Sequence, residues 1–427
     1  MNKTIKIAVM LLSVPLCTNL IASETKAKHT LSVLPLSDQA APQKLTQFIN
    51  GIIKEHPRLL EERARLAAAQ ANVRAADQAI YNPELEIDSE KTDINTSYLQ
   101  LSQTIDIGDK QGAKTSVAQA ELIQANAEYE MSKQQLAYDL LNALANQYTK
   151  NEIYKLIQQN LMLMKDFANI SERRHRAGDL SQVELNLARL AYSEAIITRT
   201  QAAADAASSK EQLRVLLGHV PDNIPLLPKN LPLAKLPHDK DKFISNLPAV
   251  HLEQAKVTSA RKNVDLRQSE KSWDPTISLR GGKEDTQSLA GITLSIPLNI
   301  RNSFSAEVDV AKQQFIQAEF RAQQAFREQR AIVLTSTQRY SLLQQAWLTW
   351  SKNGDSSIQQ QLKLIKRLWQ VGDMSTTDYL VQLKQAIDTQ TAGLELRGKF
   401  WQSAFEWMNT TASIINWLNI NISESSK

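Results

Sequence analysis

The feature that most constrains this chain is a duplication. At a spacing of 193 residues, Leu101 and Ser102 match Leu294 and Ser295. At the same spacing, Ala113, Val117, Ala118, Ile123, Gln124 and Ala125 match Ala306, Val310, Ala311, Ile316, Gln317 and Ala318. At 194, Arg173, Gly178, Asp179 and Ser181 match Arg367, Gly372, Asp373 and Ser375, and Pro83 matches Pro275 at 192. Scattered Ala and Gln identities arise by chance. An ordered drift across many landmarks marks one structural unit used twice.

Each unit reads as the same series of parts. A helical stretch comes first, at about 38–80 and 240–272. A strand pair follows, 84–90 with 97–107 and 276–282 with 289–300. Then come a long helix, a glycine turn (Gly178, Gly372) and a return helix. The fold class is mainly α with a small β part. Only 12 glycines and 13 prolines in 427 residues leave regular structure long between breaks. From Ile107 to Gly178 is 71 residues, and from Ile300 to Gly372 is 72. At the helical rise each arm spans about 105 Å. Asp109 and Asn302 align at the helix starts and are expected to cap them. Ile153, Leu156, Leu163, Phe167 and Ile170 form one apolar stripe, and Ile157, Leu161, Met164 and Ala168 a second. Two stripes suit a helix with neighbours on both sides. The segment 217–243 holds five prolines and breaks the first return helix. With the terminal residues it is expected to form a belt around the middle of the arms. The domain organisation follows: a leader over 1–23, a linker over 24–37, a first repeat over 38–237 and a second over 238–427.

The strands alternate cleanly. Leu85 and Ile87 stand against Glu84, Glu86, Asp88 and Glu90; Leu99, Leu101, Ile105 and Ile107 against Gln100, Ser102, Thr104 and Asp106. Ile292, Leu294, Ile296 and Leu298 repeat the pattern. With the helices leading away as arms, little is left to cover the apolar face. An apolar outside and a polar inside suit the wall of an outer-membrane β-barrel. Four strands cannot close a barrel, and lipid does not tolerate open edges. Other copies must close the sheet, two giving eight strands and three giving twelve. Tyr81, Tyr98 and Trp273 flank the strands where interfacial aromatics sit. All seven tryptophans fall at 273 or beyond, which the repeat alone does not explain.

The N-terminus reads as a secretory signal: Lys3 and Lys6, an apolar core over 7–16, and small residues with cleavage between Ala22 and Ala27. Cys17 is the only cysteine; the Pro15-Leu16 before it disfavours lipidation, so it is expected to leave with the leader. The formal charge of +4 falls to +2 without Lys3 and Lys6, and no basic stripe with interleaved aromatics points to nucleic acid. His29, His56, His175, His219, His238 and His251 are scattered. No nucleophile motif, metal-ligand spacing or cofactor motif accompanies them, so the chain does not read as an enzyme. A coiled-coil adaptor or scaffold stays open as an alternative, although the duplicated strand-and-helix unit argues against it.

With these parts in place, the chain resembles the TolC-type outer-membrane efflux ducts. The resemblance covers about residues 40–410. It rests on "NPELEI", "LSQTIDIGDKQGAK", "RAGDLSQVELNLARLAYSEA", "WDPTISL", "GITLSIPLNIRN" and "QVGDMSTTDYLVQL", in that order. It implies a homotrimer with a twelve-stranded barrel in outer-membrane lipid and a periplasmic helical tunnel. It further implies docking through a periplasmic adaptor to an inner-membrane pump of the RND type. The wording after each strand pair looks most like the branch serving heavy-metal cation pumps. That branch often continues with glycine after "RN"; here Ser303 and Phe304 follow. Organic toxicants or a secreted protein are the alternative cargo. In this family the tip turns form the aperture. Its ring of carboxylates carries over to Glu184 and Asp378, six residues past each glycine. Asp179 and Asp373 read either as part of the same rim or as caps of the return helices. A second acidic position of the family falls here on Val381.

Overall fold

The computed structural model describes residues 40–420, apart from 94 and 222. The leader, Cys17 and the linker over 24–37 lie outside the described residues. The described residues all belong to one unit. The first repeat holds α1 (Gln43–Glu55), α2 (Pro57–Ala76), β1 (Glu84–Lys91), β2 (Asn95–Thr104), α3 (Lys110–Arg176) and α4 (Gln182–Leu217). The second holds α5 (Lys240–Ser245), α6 (Pro248–Ser269), β3 (Thr276–Glu284), β4 (Gln287–Ser295), α7 (Ser305–Val371), α8 (Thr376–Thr410) and α9 (Ile414–Trp417). The helical stretches leading into each sheet are split by proline. Pro57 and Pro248 open α2 and α6, where a missing N–H does no harm.

α3 and α7 each have 67 residues, about 100 Å of helix. α7 passes through Gly354 without a break. The glycine makes room for a neighbour: a Cβ there would stand 2.6 Å from the Trp350 ring. A Cβ on Gly393 of α8 would meet the same ring at 2.5 Å. Trp350 thus lies in a notch cut by two glycines on facing helices.

The helices form a layer whose members change half-way. Toward the sheet α2, α3, α6 and α7 lie side by side; toward the turns the order is α4, α3, α8, α7. α6 and α8 share the slot between α3 and α7, end to end. The main core sits where they meet. Leu45, Ile49 and Ile53 of α1 pack there with Leu136 to Ala145 of α3, and with Leu227 and Leu231 of the proline-rich segment. Phe405, Trp407 and Trp417 complete it. Proline carbonyls with no helical partner accept from aromatic donors: Tyr340 Oη donates to Pro232 O at 2.5 Å, Trp401 Nε1 to Pro228 O at 2.9 Å. The Ala41 amide donates to Trp417 O at 3.0 Å, tying the two ends of the described chain into this belt. Four of the seven tryptophans, Trp347, Trp401, Trp407 and Trp417, belong to this belt.

The four strands form one antiparallel sheet in the order β1-β2-β3-β4. Its register sorts the side chains. One face carries Leu85, Ile87, Leu99, Leu101, Ile277, Leu279, Ile292 and Leu294, all exposed. The other carries Glu84, Glu86, Asp88, Gln100, Ser102, Thr276, Ser278 and Thr293. The strands are shorter at the base than their alternation suggests. β2 stops at Thr104 rather than 107, and β4 at Ser295 rather than 300. Pro83 and Pro275 stand at the entry of their partner strands and cannot extend the ladder. A last bond, from the Ile105 amide to Pro275 O at 2.9 Å, ends it.

The two helix starts differ. Asp109 holds the N-cap of α3 and accepts from the Gly112 amide at 3.3 Å. Asn302 does not cap α7. The helix begins at Ser305 with Phe304 at its N-cap, in the left-handed region at φ 55°. Asn302 Oδ1 instead accepts from the Phe304 amide at 3.0 Å, a local turn that spends the acceptor before the helix begins.

Candidate functional site

The two tip turns are built alike. In the first, the Gly178 amide donates to His175 O at 3.0 Å and the Asp179 amide to Arg174 O at 2.9 Å. In the second, Gly372 donates to Trp369 O at 3.2 Å and Asp373 to Leu368 O at 3.0 Å. This paired closure requires a left-handed residue, and Gly178 and Gly372 have φ of 82° and 89°. Asp179 and Asp373 therefore close the outgoing helices through their amides, and they do not cap the return helices. Ser181 and Ser375 do that, accepting from the amides of Glu184 at 3.3 Å and Asp378 at 3.1 Å. The serines were legible as hydroxyl-x-x-acid patterns, "SQVE" and "STTD".

The carboxylates gather at this end. Asp179, Asp373 and Asp378 are exposed, and Glu184 is half-buried. Glu184 Oε2 accepts from the Ser181 hydroxyl at 2.8 Å and from its amide at 3.0 Å. These bonds, Ser181's hydroxyl first, hold its carboxyl below the ordinary value of 4.5, with smaller help from Thr376 and the Arg174 charge. Thr376 belongs to the other tip, so the two turns are neighbours. Trp369 joins them from beneath. Its buried ring lies 5.1 Å from Tyr379, nearly parallel, and 4.6 Å from Phe167 on α3. Arg174 covers it at 5.7 Å and donates to its carbonyl at 3.3 Å. Above the tips, α4 and α8 flank an open groove lined by Leu187, Leu190, Ile197 and Leu380, spanned by Lys384 Nζ to Glu194 Oε1 at 2.7 Å.

At the far end, β2 has 10 residues and carries Leu99 and Leu101 on the apolar face. That is about 33 Å of strand, or about 25 Å at a barrel tilt of roughly 40°, near the apolar band of such barrels. Trp273 is exposed beside this band. Tyr81 is engaged elsewhere, its hydroxyl donating to Asp274 Oδ2 at 2.6 Å. Lys110 Nζ reaches the same oxygen at 2.6 Å and Ser272 O at 2.9 Å. The buried Asp274 thus locks the base of β3 to β1 and to α3. The alignment of "WDP" with "YNP" was its signal. Tyr98 is not an outward interface aromatic. The register places it opposite Asp88 and Gly282, on the polar face, where its hydroxyl donates to Asp88 Oδ2 at 3.2 Å. An even residue in β2 faces away from Leu99 and Leu101.

Among the described residues no group of three or more His, Cys, Asp or Glu is placed to hold a metal ion. Among them, too, no helix is long and apolar enough to cross a membrane. A membrane contact would fall to the apolar sheet face.

The fold is that of the outer-membrane channels. The structure is similar to the CmeC outer membrane channel of Campylobacter jejuni, with a TM-score of 0.74 at 12% identity over 88% of this chain and 89% of that one. It is similar to VceC of Vibrio cholerae, with a TM-score of 0.70 at 16% identity over 86% and 96%. The open-state MtrE channel of Neisseria gonorrhoeae gives 0.70 at 15% over 87% and 89%. The family model of outer membrane efflux proteins matches residues 48–219, from α1 to the turn after α4. No curated protein sequence matches the chain.

Proposed function

We propose that this chain is the outer-membrane channel of a tripartite efflux system. One observation carries the reading: the open edges coincide. The sheet ends in β1 and β4, and the helix layer ends in α2 and α4 on one flank and α7 on the other. α2 leads into β1 and β4 into α7, so each flank of the chain is open along both sheet and helices. A ring of identical copies closes both at once, flank to flank. Three copies give a twelve-stranded barrel and, at each level, twelve helices around a continuous passage. The exposed apolar face then meets lipid, and no edge remains open.

Transport through such a duct is passive. The acidic tips favour cations at the entrance, as carboxylate rings do in pores. The apolar groove between α4 and α8 offers a helical adaptor a seat, in the manner of helix-in-groove recognition, and the adaptor links the duct to an RND-type pump. Heavy-metal cations are the proposed cargo, on the wording of the strand-to-helix junctions. Organic toxicants or a secreted protein are the second reading, because the pump selects cargo. A strain lacking the chain is expected to become metal-sensitive; sensitivity to drugs alone would reject the metal reading.

The channel itself is tested by reconstitution. The expected product is a heat-modifiable trimer from the outer-membrane fraction that conducts in planar bilayers with cation preference. A soluble monomer would support the adaptor or scaffold reading instead. In the double variant Glu184→Gln, Asp378→Asn, the helix starts keep their polar partners while the charges go. Cation preference is expected to fall and resting conductance to rise; unchanged values would remove the tips from the mechanism.

A further inference from the structure

We propose that Arg280 is a selectivity-determining residue of the barrel passage, a lone basic group lying against Tyr98 on an otherwise acidic wall. The proposal rests on the channel reading, which makes the polar sheet face the lining of the passage. On that face the charged side chains of the strands are Glu84, Glu86, Asp88, Glu90, Glu284 and Arg280. The strand lysines, Lys91 and Lys283, fall on the other face. Arg280 is thus the only strand cation turned inward, and a ring of copies repeats it at one level.

Its guanidinium lies on an aromatic ring and not on a carboxylate. The guanidinium carbon stands 5.1 Å from the Tyr98 ring centroid, and Tyr98 in turn donates to Asp88. Gln100, the partner of Arg280 on β2, is turned the other way and donates to Glu86 at 3.0 Å. Among the described residues Arg280 forms no ion pair. The backbone around it is bare. Gly291 faces it across β4, and a Cβ there would come only within 3.9 Å of its Nε. At Gly282 the strands approach so closely that a Cβ would stand 2.7 Å from Tyr98 Cα. Two glycines thus clear the wall on which tyrosine and guanidinium lie. The ring contact holds the cation in place without cancelling its charge. A fixed wall charge shifts the local balance of permeant ions, most strongly when screening is weak.

The test uses the whole chain as a trimer in planar bilayers, with a KCl gradient at low ionic strength. Cys17 is the only natural cysteine, so Arg280→Cys in a Cys17→Ser chain carries a single thiol. The reversal potential is read before and after reaction with a cationic and an anionic methanethiosulfonate. The cysteine variant is expected to raise the cation-over-anion permeability ratio by about twofold. The cationic reagent should restore the original ratio, and the anionic reagent should raise it further. Arg280→Lys keeps the charge without the flat stack and should stay near the parent value. One reversal potential through all three thiol states, with labelling confirmed by mass, overturns the proposal and leaves the channel standing. A parent chain that forms no conducting trimer overturns the channel reading itself.

Discussion

The hairpin of α3 and α4 and the hairpin of α7 and α8 are copies that came to do different work. Their long helices have equal length, their turns close with the same two hydrogen bonds, and their return helices start on serine. Their places in the layer differ. α3 is interior, packed by α2, α4, α6 and α8; α7 leaves one flank free. Inside helices the first hairpin has no glycine beyond Gly112 in its opening turn, whereas the second has Gly354, Gly393 and Gly398. At matched positions near the tips stand His175 and Trp369. His175 stays on its own turn, with Nδ1 2.7 Å from Leu180 O. Trp369 crosses to α3. Duplication set the geometry of both hairpins, and position in the layer decided which one became the anchored partner.

The sharpest way to break that contrast is to remove the anchor. Trp369→Ala deletes a buried ring shared by Phe167, Tyr379 and Arg174, an expected loss of about 3–5 kcal/mol. His175→Ala, which removes one side-chain hydrogen bond within its own turn, is expected to cost about 1 kcal/mol. Amide exchange at both tips measures the difference. If the two variants loosen the tips equally, the hairpins are not distinct in the way described.

The glycines offer a smaller effect with an informative sign. Gly393→Ala adds a methyl 2.5 Å from the rigid Trp350 ring, which must leave its notch. The expected cost is about 1–3 kcal/mol, larger than the roughly 1 kcal/mol that alanine gains in helix propensity. Gly51 lies in α1 with nothing within 4 Å of its would-be Cβ. Gly51→Ala should therefore stabilise, by up to about 1 kcal/mol. Thermal unfolding of the two variants side by side should show shifts of opposite sign. A stabilised Gly393→Ala would mean the notch is not close-packed.

Much of this architecture was legible because it rests on local rules. Alternation in 84–90 and 97–107 assigned both sheet faces, and the glycine turns marked the tips. What the sequence alone does not show depends on meetings across the chain or on turn chemistry. Trp350 and Gly393 are far apart in the chain, and no pattern in either segment announces the notch. Asp274 gains its meaning only beside Lys110 and Tyr81. Asn302 aligned with Asp109, but the chain after β4 turns locally and moves the helix start to Ser305. Proximity to the strand end suggests an interface role for Tyr98, but its parity in β2 assigns it to the polar face. At the tips the serines that organise the carboxylates carry an equally plain pattern, "SQVE" and "STTD".

The finest distinction between the copies lies in those serines. Ser181 and Glu184 bond reciprocally, hydroxyl to amide in one direction and carboxylate to amide in the other. Asp378 is one methylene shorter than Glu184. Its carboxylate takes the Ser375 hydroxyl at 2.7 Å, but among the described residues it makes no bond to the Ser375 amide. Ser181→Ala and Ser375→Ala should each cost about 1 kcal/mol, with the first the larger. Acid should separate them without mutation of the caps. The Glu184 carboxyl sits below 4.5 in the folded tip because Ser181 bonds its charged form. A depressed folded value means that this stabilisation is complete above the unfolded value. It is lost as the pH falls through the lower folded value, so the window lies below 4.5. A spin label at Gln182→Cys in the Cys17→Ser chain should gain mobility as the pH falls from about 5 to about 3, and Glu184→Gln should abolish that dependence. A label that loosens equally in Glu184→Gln would trace the acid response to another group and leave the two tips alike in this respect.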